Sequence, residues 1–261
     1  MSMRKVPLLL FLWTLLLAAQ TEIGPPLVGF VPDQSKAIRP VLGVAGNFLL
    51  GEPVPLEVIS LASSGRFTLV KTPNQVIARD NRSGVTTEYP APPGSARFAF
   101  SSHGQPALVY LASTRELRSW PLDNPDAQPL VLPEVLDEIL ALAPFGDDQV
   151  ELVVRRQDVT WRVRISRTDG AVFDEAALAG VSGPVLLTGT GWLVSASGGE
   201  LRLRSSREDD ICIPLPAAVE SLDQMGEDWV RLVLRDSRQL AVRIRDGSAS
   251  LYRLPVMEAK P

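Results

Sequence analysis

The sequence is poor in the residues on which many catalytic and metal centres depend. Its 261 residues include one cysteine, Cys212, and one histidine, His103. A single cysteine excludes an internal disulfide and a cysteine-based zinc or iron–sulfur site. A single histidine argues against a histidine-rich metal centre, and any Ser/His or Cys/His pair would have to use it. We therefore expect no catalytic residue, no metal ligand and no bound cofactor.

Lysine is scarce as well, because only four of the 26 basic residues are lysines and acidic residues number 30. The formal net charge is −4, and it becomes −6 when Arg4 and Lys5 are set aside with an N-terminal leader (24 basic against 30 acidic). An acidic surface disfavours nonspecific binding to nucleic acid or anionic lipid. The charge therefore favours another protein or a component of the cell envelope as the partner.

Long apolar runs are missing except at the N-terminus. Arg4 and Lys5 precede an apolar run of 14 residues from Val6 to Ala19. A basic start followed by a run of this length is typical of a signal peptide, whereas a spanning helix needs about 20 apolar residues. We expect residues 1–21 to be a signal peptide and the mature chain to be periplasmic or extracellular, without a stable membrane span. An uncleaved anchor is the alternative.

The rest of the chain, from about residue 54, is a succession of short β-patterned runs. They are rich in Val, Ile, Thr and aromatic residues and are separated by Gly, Asp, Asn and Ser clusters, which indicates an all-β fold. Two stretches, residues 134–142 and 174–179, also fit a helix by composition, and their assignment stays open.

The β runs repeat with a regular spacing. In five places a turn glycine follows a first run and a second run begins at once; these are Gly65, Gly104, Gly146, Gly191 and Gly226. The glycines are 39, 42, 45 and 35 residues apart, and a third and usually a fourth run follow. Four short strands about every 40 residues are the signature of a β-propeller blade. A ring of blades also buries both faces of each sheet, while the alternative, a sandwich or large barrel, does not require this repetition.

We therefore predict an all-β propeller of five or six four-stranded blades in a single domain at 22–261. The repeat units lie near 55–92, 95–133, 137–178, 181–216 and 217–256. Residues 27–51 add further strand candidates that resemble the second half of a blade. They either form a sixth blade or supply a closing strand to one of the five, and we expect them to lie beside residues 248–256.

With this repeat the chain resembles exported bacterial β-propeller proteins of the broad WD-repeat-like class. The resemblance covers residues 55–255 and rests on repeat length and turn placement. The Gly-His and Trp-Asp dipeptides of true WD repeats are missing, so no functional residue carries over. Two functions remain open: a non-enzymatic binding or scaffold module, and a hydrolase or lactonase-like enzyme with a central metal.

The sequence offers few individual candidates for a site. His103 is expected in a solvent-facing turn and Cys212 in an apolar strand, as a small buried side chain. The acidic clusters at residues 80–81, 147–148 and 208–210 lack the spacing of a calcium loop and read as loop charges. Trp192 and Trp229 each follow a turn glycine closely, which favours packing between blades.

An arginine pattern recurs on the third runs of three successive units. Each pair has the form R-x-R, and the pairs are Arg162 and Arg164, Arg202 and Arg204, and Arg243 and Arg245. Alternation places each pair on one face of its strand, so equivalent pairs would line up as an arc that binds an anionic ligand or acidic partner. In the other interpretation the arginines cover apolar neighbours with their stems and pair with local acids.

Overall fold

The computed structural model describes residues 24–124, 128–205 and 209–256. Within these ranges the chain forms 23 β-strands and one 3-10 turn, Glu134–Leu136. No helix in these ranges is long and apolar enough to cross a membrane. The expected signal peptide, residues 1–21, lies outside the described residues.

The strands build six antiparallel sheets, each of which is one blade with its strands in chain order. The first blade has three strands, β1 (Leu27–Pro32), β2 (Ile38–Val44) and β3 (Asn47–Leu50). The second blade consists of β4 (Ser60–Ser63), β5 (Phe67–Lys71), β6 (Gln75–Asp80) and β7 (Thr86–Pro90). The third consists of β8 (Ala96–Phe100), β9 (Pro106–Leu111), β10 (Glu116–Ser119) and β11 (Leu130–Val131).

The last three blades also have four strands each. The fourth blade consists of β12 (Glu138–Phe145), β13 (Gln149–Arg156), β14 (Val159–Ser166) and β15 (Val172–Ala177). The fifth consists of β16 (Val185–Leu187), β17 (Trp192–Ser197), β18 (Glu200–Ser205) and β19 (Asp210–Pro214). The sixth consists of β20 (Val219–Gln224), β21 (Trp229–Leu234), β22 (Gln239–Arg245) and β23 (Ser248–Arg253).

The structure confirms the all-β propeller, and it has six blades. All five turn glycines lie between the first and second strands of their sheets. Of the two stretches left open between helix and strand, residues 134–142 begin with the 3-10 turn at 134–136 and continue into β12, and residues 174–179 belong to β15 as far as Ala177. β12 is buried between two neighbouring sheets along most of its length, an environment in which apolar runs form strands.

A buried apolar cluster fills each of the six interfaces between neighbouring blades, so the ring is closed. The interface between the sixth and first blades contains Phe48, whose ring centre lies 5.3 Å from that of Trp229 and 6.2 Å from that of Tyr252. Residues 27–51 and 248–256 are therefore neighbours, as the sequence suggests. Residues 27–51 form a sheet of their own, so they do not supply a closing strand to another blade.

Among the described residues the first blade has no counterpart of the innermost strand that the other five possess. At the start of β1 the carbonyl of Val28 lies against Gly226, in the turn after β20. Beyond the end of β1, Lys36 accepts a 3.0 Å hydrogen bond from the amide of Val58, just before β4. β1 therefore runs antiparallel to the innermost strands β4 and β20. In direction and position β1 therefore corresponds to the second strand of a four-stranded blade. The three strands of the first blade correspond to the outer three strands of such a blade.

Candidate functional site

The innermost strands of the second to sixth blades surround a central cavity of 140 Å³. Most of the residues that line it are apolar, and no described residue of β1 is among them. Its polar side chains are Ser60, Arg97, Asp223 and Gln224. Asp223 is engaged by Arg231, whose Nη2 lies 2.7 Å from Oδ2 of the carboxylate. The channel is thus bounded by five strands although the ring has six blades.

The connections between blades lie on one side of the ring, which we call the linker face. The turns that contain the five glycines lie on the opposite side, the glycine-turn face. On the linker face the central cavity adjoins a wider cavity of 480 Å³, which shares Arg97 and Leu140 with it and which we call the channel mouth. The charged side chains of the mouth are Arg97, Glu138, Arg155, Glu220 and Arg235.

Two of these arginines have no acidic partner. Arg155 Nη1 lies 3.1 Å from Oε2 of Glu138, which leaves that pair neutral. Arg97 and Arg235 are exposed, and neither forms an ion pair with any of the described residues. With Glu220 as the remaining acid, the mouth carries an excess of one positive charge. It can therefore attract a carboxylate even though the chain as a whole is acidic.

No pattern in the sequence singles out Arg97, which belongs to no repeat of arginines. Its neighbours in β8, Ala96 and Phe98, are buried in the cluster with the second blade, while Arg97 is exposed and lines the central cavity. A lone arginine within an apolar first strand is the signal that could have identified it, because arginine is rarely buried and so marks an exposed position in an otherwise buried strand.

The six arginines of the R-x-R pattern do not form a single arc. Val153, the cross-strand neighbour of Arg162, packs in one apolar cluster with Leu193, the neighbour of Arg204. Arg162 and Arg164 therefore face the fifth blade, while Arg202 and Arg204 face the fourth from the other side. Arg243 faces the first blade, since the adjacent Ala241 packs in the cluster between the sixth and first blades. The expected alignment across three blades is wrong.

Most of these arginines have local partners. Nε of Arg202 lies 2.8 Å from Oδ1 of Asp210, and this hydrogen bond lowers the pKa of the Asp210 carboxyl. Arg204 lies 3.8 Å from the same carboxylate, and Arg245 is 3.4 Å from Asp246. The guanidinium of Arg243 lies 5.4 Å from the ring centre of Trp229. These contacts agree with the interpretation that arginine stems cover apolar neighbours and pair with local acids.

His103 lies in the exposed turn between β8 and β9, on the glycine-turn face. Ser102 Oγ is 3.3 Å from Nδ1 of His103, so the two side chains are within hydrogen-bond reach. A nucleophilic pair also needs a third group that orients the base. No described residue makes such a contact to the other ring nitrogen.

Cys212 is exposed, so the expectation of a small buried side chain is wrong. On the outermost strand β19, Ile211 and Ile213 pack against the apolar cluster between the fifth and sixth blades, and Cys212 points the other way. Partial desolvation and the neighbouring Glu200 raise the pKa of the Cys212 thiol.

The two tryptophans lie where the sequence predicts them, because Trp192 and Trp229 are buried in clusters between blades. Asp80 accepts hydrogen bonds from the amides of Arg82 and Ser83, as a turn residue does. Glu208, in the third acidic cluster, lies outside the described residues. In the described part of the chain no three His, Cys, Asp or Glu side chains are grouped closely enough to hold a metal ion.

No protein-family model matches the chain, and no curated protein matches it either. Solved structures do, at very low identity. A chain of a nidogen/laminin complex is 8% identical with a TM-score of 0.57, and the match covers 87% of this chain and 92% of that one. Virginiamycin B lyase from Staphylococcus aureus is 10% identical with a TM-score of 0.49, and the match covers 89% of this chain and 86% of that one. The Neurospora crassa Pan2 WD40 domain is 8% identical with a TM-score of 0.48, and the match covers 88% of this chain and 79% of that domain's chain. The likeness shows the overall β-propeller fold and nothing finer.

Proposed function

We propose that this chain is an exported, non-enzymatic binding module that holds an acidic segment of a partner protein at the channel mouth. The observation that carries the proposal is Arg97, which projects from the channel wall without an acidic partner among the described residues. Arg235 adds a second such guanidinium at the rim. Loops and rims held by a rigid frame commonly carry recognition, and a guanidinium binds a carboxylate through two parallel hydrogen bonds.

Binding of a labelled acidic peptide tests this proposal. The probe is a fluorescein-labelled peptide of alternating Glu and Ala, and fluorescence anisotropy is recorded at 50 and 300 mM salt. We expect the double substitution Arg97→Gln and Arg235→Gln to weaken binding at least tenfold. The matched control is Arg82→Gln, in the exposed turn between β6 and β7 on the glycine-turn face, and it should leave the affinity unchanged.

Two results would contradict the proposal. One is an equal affinity for the wild-type protein and the double variant. The other is an equal loss in the Arg82→Gln variant, which would mean that the peptide senses only the overall charge. His103→Ala should also bind the peptide normally, since His103 lies on the opposite face.

Export is the second part of the proposal, and it rests on the N-terminal sequence alone. N-terminal sequencing of the protein purified from fractionated cells should give a mature chain that begins after Ala19 or Thr21, in the periplasm or medium. An intact N-terminus in the membrane fraction would favour the uncleaved anchor. Metal analysis of the same preparation tests the alternative enzyme, because a stoichiometric divalent ion would favour a metal-dependent hydrolase.

A further inference from the structure

A second cavity, of 360 Å³, lies between the fourth and fifth blades, away from the channel mouth. We call it the arginine groove, because Arg162 and Arg164 line it from one blade and Arg204 from the other. The groove also has a continuous apolar surface, formed by Phe145, Leu178, Leu187 and Leu193 among others. Pockets that bind small molecules have this volume and this combination of apolar walls with a few polar groups.

Two of the three arginines that line the groove lie beside acidic side chains. Arg164 Nε lies 3.1 Å from Glu151 and its Nη1 3.7 Å from Asp174, while its guanidinium is 3.9 Å from the ring centre of Phe145. Arg204 lies 3.8 Å from Asp210, whose carboxylate is hydrogen-bonded to Arg202. Arg164 thus has two acidic partners before any ligand binds, and Arg204 shares one with Arg202.

Arg162 has none. Its Nε is buried without a hydrogen-bond partner, and it forms no ion pair in the described ranges of the chain. A buried donor that loses water without gaining an acceptor destabilises the fold, so such groups in native proteins call for an explanation. The Arg162 side chain as a whole is only partly buried and lines the groove, so a ligand carboxylate there would give its guanidinium the acidic partner that it lacks.

We propose that the arginine groove binds a small organic monocarboxylate, with its carboxylate on Arg162 and its apolar body against Phe145, Leu187 and Leu193. One uncompensated guanidinium matches one carboxylate. Glu151 lines the same groove and would repel a second negative charge, which disfavours phosphates and dicarboxylates. The apolar surface lies within the same cavity and supplies the affinity that a single ion pair in water would not.

Calorimetric titration with 4-phenylbutyrate and with its uncharged amide tests this site. We expect the wild-type protein to bind the carboxylate at least tenfold more tightly than the amide. Arg162→Gln should remove that preference, with the carboxylate weakened at least tenfold and the amide unchanged. The matched control is Arg243→Gln: Arg243 occupies a similar position on the third strand of the sixth blade, with the same buried, unpartnered Nε, but outside the groove.

A second variant keeps the test decisive if Arg162→Gln fails to fold. Leu193→Trp fills the groove from the apolar side and should abolish binding of both probes while the melting temperature stays near that of the wild type. The proposal is overturned if the wild-type protein binds the amide as well as the carboxylate, or if it binds neither phenylbutyrate nor octanoate. It is also overturned if Arg243→Gln weakens binding as much as Arg162→Gln.

The two sites are distinguishable because they lie on different parts of the molecule. Arg97→Gln, which belongs to the channel mouth, should leave phenylbutyrate binding unchanged. Arg162→Gln should leave binding of the acidic peptide unchanged. A negative result for carboxylate binding in the arginine groove therefore leaves the proposal for the channel mouth standing, and the reverse also holds.

Discussion

Lys71 is fully buried at the end of β5, where its amino group donates to the carbonyl oxygens of Thr72 and Pro73. It forms no ion pair with any residue that the structure describes. A buried charge without a counter-charge is costly, so burial lowers the pKa of the Lys71 amino group below its ordinary value of 10.5. Neutral lysine can still donate to both carbonyls.

This environment predicts a pH-dependent contribution to stability. Between the lowered pKa and 10.5 the unfolded chain binds the proton more tightly than the native protein, so the stability contributed by Lys71 rises with pH. The free energy of unfolding of the wild type relative to Lys71→Met should therefore increase from pH 7 to pH 9.5 in urea titrations. Lys36→Met is the control, because Lys36 is exposed, and its difference from the wild type should stay flat. If the difference between the wild type and Lys71→Met is also independent of pH, burial does not lower the pKa of the Lys71 amino group.

At the residue scale the sequence predicts side-chain environment only where neighbours along the chain decide it. His103 is exposed because its turn is exposed, which the Ser-Ser-His-Gly pattern indicates. Cys212 and Arg97 depend on which face of a strand meets the adjacent blade, and this is a property of the ring rather than of the strand. The arc of arginines fails for the same reason, since R-x-R fixes one face of a strand without saying which neighbour it meets.

Among the described glycines, Gly29 in β1 leaves the least room for a side chain. A Cβ atom built on Gly29 would lie 1.5 Å from the carbonyl oxygen of Met225, just after β20. No side chain fits at this position, so glycine lets β1 pack directly against the sixth blade without an innermost strand between them. The Arg231 side chain crosses the same interface, with its Nη1 3.4 Å from the carbonyl oxygen of Pro32.

Gly29→Ala should therefore destabilise the protein by about 3 kcal/mol, the upper range for overpacking a well-packed site. Chemical denaturation gives the change. The control is Gly24→Ala, where nothing lies within 4 Å of the added Cβ and the backbone is not left-handed, so its effect should stay within about 0.5 kcal/mol. If both substitutions are neutral, β1 does not pack against Met225 as described.

The strand pattern itself is readable from sequence because strand and turn signals are local. The five glycines mark the turns of the second to sixth blades, so these five blades can be counted from spacing alone. The missing innermost strand is harder to recognise. Residues 27–51 resemble the second half of a blade in sequence, but the direction of β1 follows from its packing between β4 and β20, which are almost 160 residues apart in the chain.

For the whole molecule, closure of the ring makes each blade depend on two neighbours. The first blade shares one apolar cluster with the sixth and another with the second. Its removal would expose both clusters at once. An open array of repeats unfolds from its ends, whereas a closed ring has no end from which to begin. We therefore infer that the six blades unfold as one cooperative unit, although the strand-to-strand hydrogen-bond ladders are each confined to one blade.

Phe48→Ala tests this cooperativity, because Phe48 is buried between the first and sixth blades. We expect the free energy of unfolding to fall by about 3–5 kcal/mol, as for other buried phenylalanines. Hydrogen exchange should show the same loss of protection for amides of β12 and β13, on the far side of the ring, as for those of β1. Phe173→Ala, an exposed phenylalanine on β15, should change neither quantity. A loss of protection confined to the first and sixth blades would show instead that the ring opens at this interface and that its blades unfold separately.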